Sequence, residues 1–171
     1  MSKASLVKRL RWYYPLEKFH ACFTFPLIAI YLLLRNPITD IVFLMYGLVL
    51  IIFILFQGQY YWKLKLQRLT GQPFDQKKSL ALFKRAKSIN GYLIAFIPLV
   101  FLFQIYLSKN KVSLNELTIW ATVANLFGVL EHINYYYIQL SIDNSEDLKY
   151  LKRYKKLKIA SLAKDLRENE I

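Results

Sequence analysis

Four apolar stretches punctuate the chain: Phe19–Leu34, Ile38–Phe56, Gly91–Leu107 and Leu117–Leu140. A helix needs about 20 mostly apolar residues to cross the ~30 Å hydrocarbon core of a bilayer, so the pattern predicts four membrane-crossing helices. Arg35-Asn36-Pro37 reads as a tight turn between the first two, and Ser108–Glu116 as a short polar loop between the last two. Short connections make antiparallel neighbours. The predicted fold is an all-α four-helix bundle of two hairpins over residues 1–140, with a polar linking segment at 57–90 and a tail at 141–171.

The polar segments carry patterns of their own. Thr70-Gly71-Gln72-Pro73 signals a turn. Tyr60–Leu69 ahead of it suits a continuation of the second helix. Ser79–Ser88 after it gathers Leu80, Phe83 and Ala86 on one side, the mark of another helix. In the tail, Asp143, Asn144 and Ser145 are helix-start residues, and Glu146 and Asp147 suit the positive end of a helix dipole. Leu148, Leu151, Tyr154 and Leu157 then recur every third residue among Lys149, Lys152, Arg153, Lys155, Lys156 and Lys158. That is a basic amphipathic helix, suited to an anionic membrane surface, where each Lys or Arg contributes about 1 kcal/mol. Docking onto the linking segment or a protein partner is its competing use.

Charge orients the bundle. The chain has 171 residues and a formal net charge of +13. Of its 24 Lys and Arg, five precede the first stretch, eight lie between the second and third, and eight follow the fourth. The other two connections hold one and two. The positive-inside rule therefore places both termini and the linking segment in the cytoplasm. Basic residues flanking apolar spans argue for contact with the anionic inner leaflet and against nucleic acid. The single cysteine, Cys22, excludes an intrachain disulfide and a Cys-rich metal site. The basic N-terminus resembles the start of a signal peptide, but no small-x-small site follows Leu34, so the first helix is expected to stay uncleaved.

Three aromatic triplets, Trp12-Tyr13-Tyr14, Tyr60-Tyr61-Trp62 and Tyr135-Tyr136-Tyr137, fall near the expected cytoplasmic interface, where amphipathic rings settle. The last lies deepest and is a candidate for pocket-lining hydroxyls. Pro26 and Pro98 are expected to bend the first and third helices and to open space between them.

The fourth stretch also holds Glu131, His132, Asn134 and Tyr135. Ionisable groups inside a membrane cost at least ~2.5 kcal/mol each and normally face the bundle interior. Helical spacing puts Glu131, Tyr135 and Ile138 on one stripe and His132, Tyr136 and Gln139 on the next. His20, Glu17, Lys18, Gln57, Gln59 and Asn90 lie at similar depth, and folding the hairpins together is expected to bring Glu17, His20, Gln57, Glu131, His132 and Asn134 toward one site. Three roles compete: a hydrogen-bonded clasp, a proton or small-solute path in a homo-oligomer, and a metal or catalytic site. The last lacks a His-Glu-x-x-His spacing, and adjacent Glu131 and His132 lie about 100° apart on a helix. No catalytic residue, metal ligand or cofactor is assigned. The expected function is a non-enzymatic accessory or interaction protein with a basic cytoplasmic face; a homo-oligomeric channel or carrier is the alternative, and an inner-leaflet enzyme a more distant one.

Glu131, Asn134 and Tyr135 form an aromatic-rich Glu-x-x-Asn-Tyr motif in the last span. With Arg11-Trp12-Tyr13-Tyr14-Pro15, Gly71-Gln72-Pro73-Phe74-Asp75 and the tail sequence Leu162-Ala163-Lys164-Asp165-Leu166, it resembles a group of small bacterial four-span membrane proteins. The resemblance implies a bacterial cytoplasmic-membrane location and carries no mechanism.

Overall fold

The structure, a computed structural model, describes residues 3–108, 116–142 and 144–171. It is helical throughout, with one isolated antiparallel bridge between Ile138 and Ile159. Helix α1 (Lys3–Phe19) runs through a π-helical turn (His20–Thr24) into α2 (Phe25–Arg35). Helices α3 (Ile38–Leu69), α4 (Gln76–Leu107) and α5 (Glu116–Tyr136) follow, and the tail forms α6 (Ser145–Tyr154) and α7 (Ser161–Glu168). Among the described residues, three stretches are long and apolar enough to cross a membrane: Lys3–Arg35, Ile38–Thr70 and Gln76–Leu107. The fourth expected span corresponds to α5, which stops at Tyr136 rather than Leu140. The expected polar loop at Ser108–Glu116 falls largely outside the described residues, as does the helix-start residue Asp143.

Nothing in Gln57–Leu69 breaks a helix, so α3 runs without interruption past its apolar part to Thr70. Its 32 residues make a rod of about 48 Å at 1.5 Å per residue, longer than a bilayer core is thick. The turn expected at Thr70–Pro73 is present, with Gly71 at φ +72°. Asp75 then caps α4, its side chain accepting from the Lys78 amide at 2.9 Å. The expected helix at 79–88 is thus the first part of α4, continuous with the apolar third stretch.

Helix α3 is the centre of the bundle and packs on α1, α2, α4 and α5. One buried cluster joins Ile41, Leu44, Leu48, Ile51 and Leu55 of α3 to Ala21, Ala29, Ala121 and Ala124. A second joins Tyr61, Leu64, Leu80, Phe83, Tyr135 and Tyr136 to Leu162 and Ile171 of the tail. Small residues let backbones approach where helices meet in an apolar medium. A Cβ on Gly47 would stand 2.8 Å from the Asn125 amide nitrogen, and one on Gly128 2.9 Å from Leu50. The outward faces of the apolar segments expose Leu27, Leu34, Leu99, Leu102, Trp120 and Leu126, far more continuous apolar surface than a water-soluble monomer normally shows.

Pro26 and Pro98 lie beside departures from plain helical hydrogen bonding. Pro26 has no amide for the carbonyl one turn back, and the wide π-turn immediately precedes it. Pro98 leaves the Ile94 carbonyl without its usual donor, and the Tyr46 hydroxyl donates to the neighbouring Leu93 carbonyl at 2.6 Å. The expected opening between the first and third helices takes another form: α2 packs on α3, and the hollow beside it lies among α2, α3 and α5.

The tail departs furthest from a single amphipathic helix. Asn144 caps α6, accepting from the Asp147 amide at 2.8 Å. The helix ends after Tyr154, with Lys155 in the left-handed region at φ +50°. The chain then runs back beside residues 137–139: Gln139 donates its amide to the Lys158 carbonyl at 2.8 Å, and Ala160 to Tyr137 at 3.1 Å. Helix α7 follows and seats Leu162 and Ala163 in the core. Of the six basic residues expected on one helix, Lys155, Lys156 and Lys158 therefore lie beyond its end.

Candidate functional site

The helix directions bring α1, the end of α3, the start of α4, the end of α5 and the tail to one end of the bundle. Two polar networks lie there, separated by the angular step between adjacent residues. Tyr135 and Tyr136 are neighbours on α5, about 100° apart around its axis, and each enters a different network.

The first is built from amides. Gln57 and Asn90 are both buried and exchange hydrogen bonds, Gln57 Nε2 to Asn90 Oδ1 at 3.0 Å and Asn90 Nδ2 to Gln57 Oε1 at 2.8 Å. The Tyr136 hydroxyl donates to the same Gln57 oxygen at 2.7 Å. Asn90 Nδ2 lies 3.3 Å from Nδ1 of His132, and the His132 ring packs on Tyr136 at 5.1 Å between centroids. One residue from each of α3 and α4 and two from α5 thus close on one another. A buried polar group left without a partner costs 1–3 kcal/mol, and this arrangement satisfies both carboxamides across three helices. It has the geometry of a clasp.

The second network is built around a carboxylate. Glu17 Oε1 on α1 accepts from Trp62 Nε1 at 2.9 Å and from the Tyr135 hydroxyl at 2.6 Å. Gly58 makes this possible: a Cβ there would occupy the place of the Tyr135 hydroxyl. Lower on α3, the Tyr61 hydroxyl and Lys65 Nζ both reach Asp165 Oδ2 of α7, at 2.7 and 2.6 Å. Arg68 bonds Glu170 and the Ile171 carbonyl, and Lys84 of α4 donates to Asn169 at 2.8 Å. These contacts latch α7 into the notch between α3 and α4.

Between α1 and the tail lies a cavity of about 270 Å3. Arg9, Tyr13 and Glu17 line it from α1, Trp62 from α3, Tyr135 from α5 and Lys158 from the tail. Asp147, also on its wall, is held by Lys158 at 2.7 Å, Asn144 at 2.8 Å and Gln139 at 3.1 Å. A separate apolar hollow of about 400 Å3, walled by residues such as Phe25, Leu48 and Trp120, lies further up the same side of α3.

The residues singled out in the sequence therefore separate. Gln57 and His132 meet in the amide network with Asn90. Tyr135 joins Glu17 in the carboxylate network, and Glu131, half-buried one turn before it, lies near enough to influence it electrostatically. Asn134 instead turns to the chain beyond α5, accepting from the Leu140 amide at 2.8 Å. His20 joins neither network; its Nδ1 lies 3.1 Å from Thr24 Oγ1 inside the π-turn. Gln139 is off the helical stripe, since α5 ends before it. On α6, Lys149, Lys152 and Arg153 are exposed, as are Lys155 and Lys156 just past it. Gly58, Trp62, Lys65 and Asp165 were not singled out as site residues, and only a small residue between two glutamines, Gln57-Gly58-Gln59, hinted at a close approach. Among the described residues no group of three or more His, Cys, Asp or Glu is placed to hold a metal ion. Comparison with protein-family models, curated proteins and solved structures finds no match.

Proposed function

We propose that the chain is a four-span membrane interaction protein with both termini on the cytoplasmic side, and that it holds α6 flat against the anionic inner leaflet. The observation that carries this reading is the contrast within the tail. Helix α7 is seated in the core, and the segment before it is tied to the end of α5. Helix α6, between those anchors, leaves Leu148 and Tyr154 exposed at 42 % and 49 %. Lys149, Lys152, Arg153, Lys155 and Lys156 surround that apolar edge. Exposed apolar side chains flanked by lysines are what an interfacial helix presents to anionic lipid. Five such charges contribute up to about 5 kcal/mol at ~1 kcal/mol each, and the anchors spare α6 the loss of freedom that a tethered tail incurs on docking. The two closed polar networks then act as clasps holding the four helices in register.

A spin label tests this reading. In a Cys22→Ser background, Leu148→Cys carries a single nitroxide on the apolar edge of α6. In nanodiscs of phosphatidylglycerol the label is expected to become accessible to lipid-dissolved oxygen and shielded from an aqueous nickel chelate. High salt, neutral lipid, or Gln at the five basic positions is expected to return it to water. A label that stays in water over anionic lipid refutes the proposal.

A further inference from the structure

We propose that the apolar hollow among α2, α3 and α5 holds one acyl chain of an anionic phospholipid, with the phosphate of that lipid on Arg35. From the reading above this takes only the membrane setting of the helices; the seat of α6 plays no part in it.

The first argument is size and depth. The hollow has a volume of about 400 Å3, within the range of ligand sites, about 300 to 1,000 Å3. Along α5 its wall runs from Leu117 to Phe127, a rise of about 15 Å at 1.5 Å per residue. That is half of the ~30 Å hydrocarbon core, the depth of one leaflet. Ala124 lines the same wall between Trp120 and Phe127, and its small side chain leaves room between the two rings. Phe25 and Phe127 meet at 6.4 Å between centroids and stand at the inner end, nearer the polar networks.

The second argument is the chemistry of the walls and of the mouth. The described lining residues offer only hydrocarbon and ring surface, apart from the Tyr31 hydroxyl and the Trp120 indole N–H. Both lie toward the far end of the bundle, where α2 stops and α5 begins, as amphipathic rings at a membrane interface do. One turn beyond Tyr31, the Arg35 guanidinium stands over the Tyr31 ring at 5.8 Å, which fixes the cation at the same end. Arg35 is exposed, and its planar donor set matches phosphate oxygens. Among the described residues it pairs with no carboxylate. Residues 109–115, which lie outside the described residues, include no Asp or Glu, so no acid of that connection cancels its charge.

The third argument is the choice of occupant. Hydrocarbon is the medium that meets an apolar wall within the bilayer, and a slot of one leaflet's depth fits an extended chain better than a compact solute. The cation at its mouth then selects the head: an anionic phosphate, rather than one already neutralised by choline.

The full chain is placed in phosphatidylcholine nanodiscs containing a low mole fraction of phosphatidylglycerol or phosphatidylcholine with bromine at mid-chain. Bromine quenches nearby indoles, and the signal lost in Trp120→Phe is assigned to Trp120. Brominated phosphatidylglycerol is expected to quench Trp120 at least threefold more than brominated phosphatidylcholine at the same mole fraction, with saturation as that fraction rises. Arg35→Gln is expected to abolish this difference. Val123→Phe fills the hollow from an exposed position on its wall and is expected to do the same while leaving Trp120 in place. A general attraction of the +13 chain for anionic lipid would survive both changes. Equal quenching by the two lipids, or a difference that persists in Arg35→Gln or in Val123→Phe, overturns the proposal. A chain that does not co-elute with the discs fails the membrane reading and this proposal together; one that co-elutes and shows equal quenching fails this proposal alone.

Discussion

Replacing Gly58 with alanine tests whether the carboxylate network depends on the close approach of α5 to α3. The added Cβ would fall on the Tyr135 hydroxyl and its ring carbon, and stand 2.8 Å from the Glu17 carboxylate. Tyr135 is 5 % exposed, so its ring has little room to retreat. Overpacking of this kind costs about 1–3 kcal/mol. Displacing the hydroxyl also weakens a charge-assisted hydrogen bond worth about 1.5–3 kcal/mol. Against these, alanine gains about 1 kcal/mol over glycine in a helix interior. The expected net loss for Gly58→Ala is about 1.5–5 kcal/mol by these magnitudes. In a Tyr135→Ala background the same Cβ meets only the Glu17 carboxylate, 2.8 Å away at the end of a flexible side chain, and the sign is expected to reverse to a gain of about 1 kcal/mol. The coupling read from the double-mutant cycle is then about 2.5–6 kcal/mol, at or above the upper end of what neighbouring residues show. Reversible unfolding by dodecyl sulfate, followed by circular dichroism in mixed micelles, measures all four corners. An equal cost for Gly58→Ala with and without the Tyr135 ring refutes the proposed packing.

Other substitutions probe the remaining contacts. Asn90→Ala removes both hydrogen bonds to Gln57 and the contact with His132, while Gln57 keeps Tyr136 and the Phe53 carbonyl as partners; at ~0.6 kcal/mol per interhelical bond the bond loss alone is about 1.8 kcal/mol, read in the same unfolding assay. Tyr46→Phe leaves the Leu93 carbonyl without its side-chain donor and is expected to cost about 0.6 kcal/mol, with a larger effect if the site beside Pro98 admits no water. Asp165→Ala strips the acceptor from Tyr61 and Lys65; Lys65 keeps partial exposure at 21 %, so the expected cost is below the 3–5 kcal/mol of a fully buried broken pair. Its clearest sign is faster trypsin cleavage at Lys155–Lys158 as α7 detaches, and an unchanged cleavage rate counts against the latch.

The legible parts of the fold were those set by local rules. Apolar runs of bilayer length announced the long helices, Gly71 and Pro73 announced the turn, and Asn144 announced the start of α6. The limits of those elements were harder to read because no local signal marks them. The boundary between the apolar and polar parts of α3 at Gln57 is a change of side-chain polarity, and the backbone passes through it as one helix. The end of α6 falls at Lys155, where neither glycine nor proline stands; the return of the chain is set by the bridge of Ile138 to Ile159, a pairing between residues 21 apart. In the candidate site, matching depth pointed to a meeting of Glu17, His20, Gln57, Glu131, His132 and Asn134; Gln57 and His132 meet through Asn90, while Glu17 meets Tyr135 in a separate network. Helical spacing set Tyr135 and Tyr136 on different stripes, but it could not say which network each enters, because that depends on the rotation of α5 against α3. Nor could it exclude His20, whose ring finds Thr24 four residues on within its own wide turn.

In the proposed membrane setting, the two networks decide what lipid leaves undetermined. Between apolar helices in an apolar medium no hydrophobic force favours one vertical register over another, so packing and polar contacts decide it. Sliding α5 by one turn along α3 would move Tyr136 about 5.4 Å from Gln57, beyond any hydrogen bond, and carry Tyr135 away from Glu17 in the same step. Both contacts fail together, because adjacent residues of one helix serve both. Each is modest alone, but a one-turn slide leaves Gln57 without Tyr136, Asn90 without His132 and Glu17 without Tyr135. The single register they select also fixes where α5 ends and hence where the tail begins. A Tyr136→Phe, Tyr135→Phe double variant tests this last step: it removes both hydroxyls while keeping both rings, so the expected loss of stability is about 2–4.5 kcal/mol, the sum of one neutral and one charge-assisted bond. Its expected signature is instead a broader distribution of distances between spin labels on α5 and α3, measured by pulsed electron resonance. A distribution as narrow as that of the parent would assign the register to packing at Gly47 and Gly128 alone.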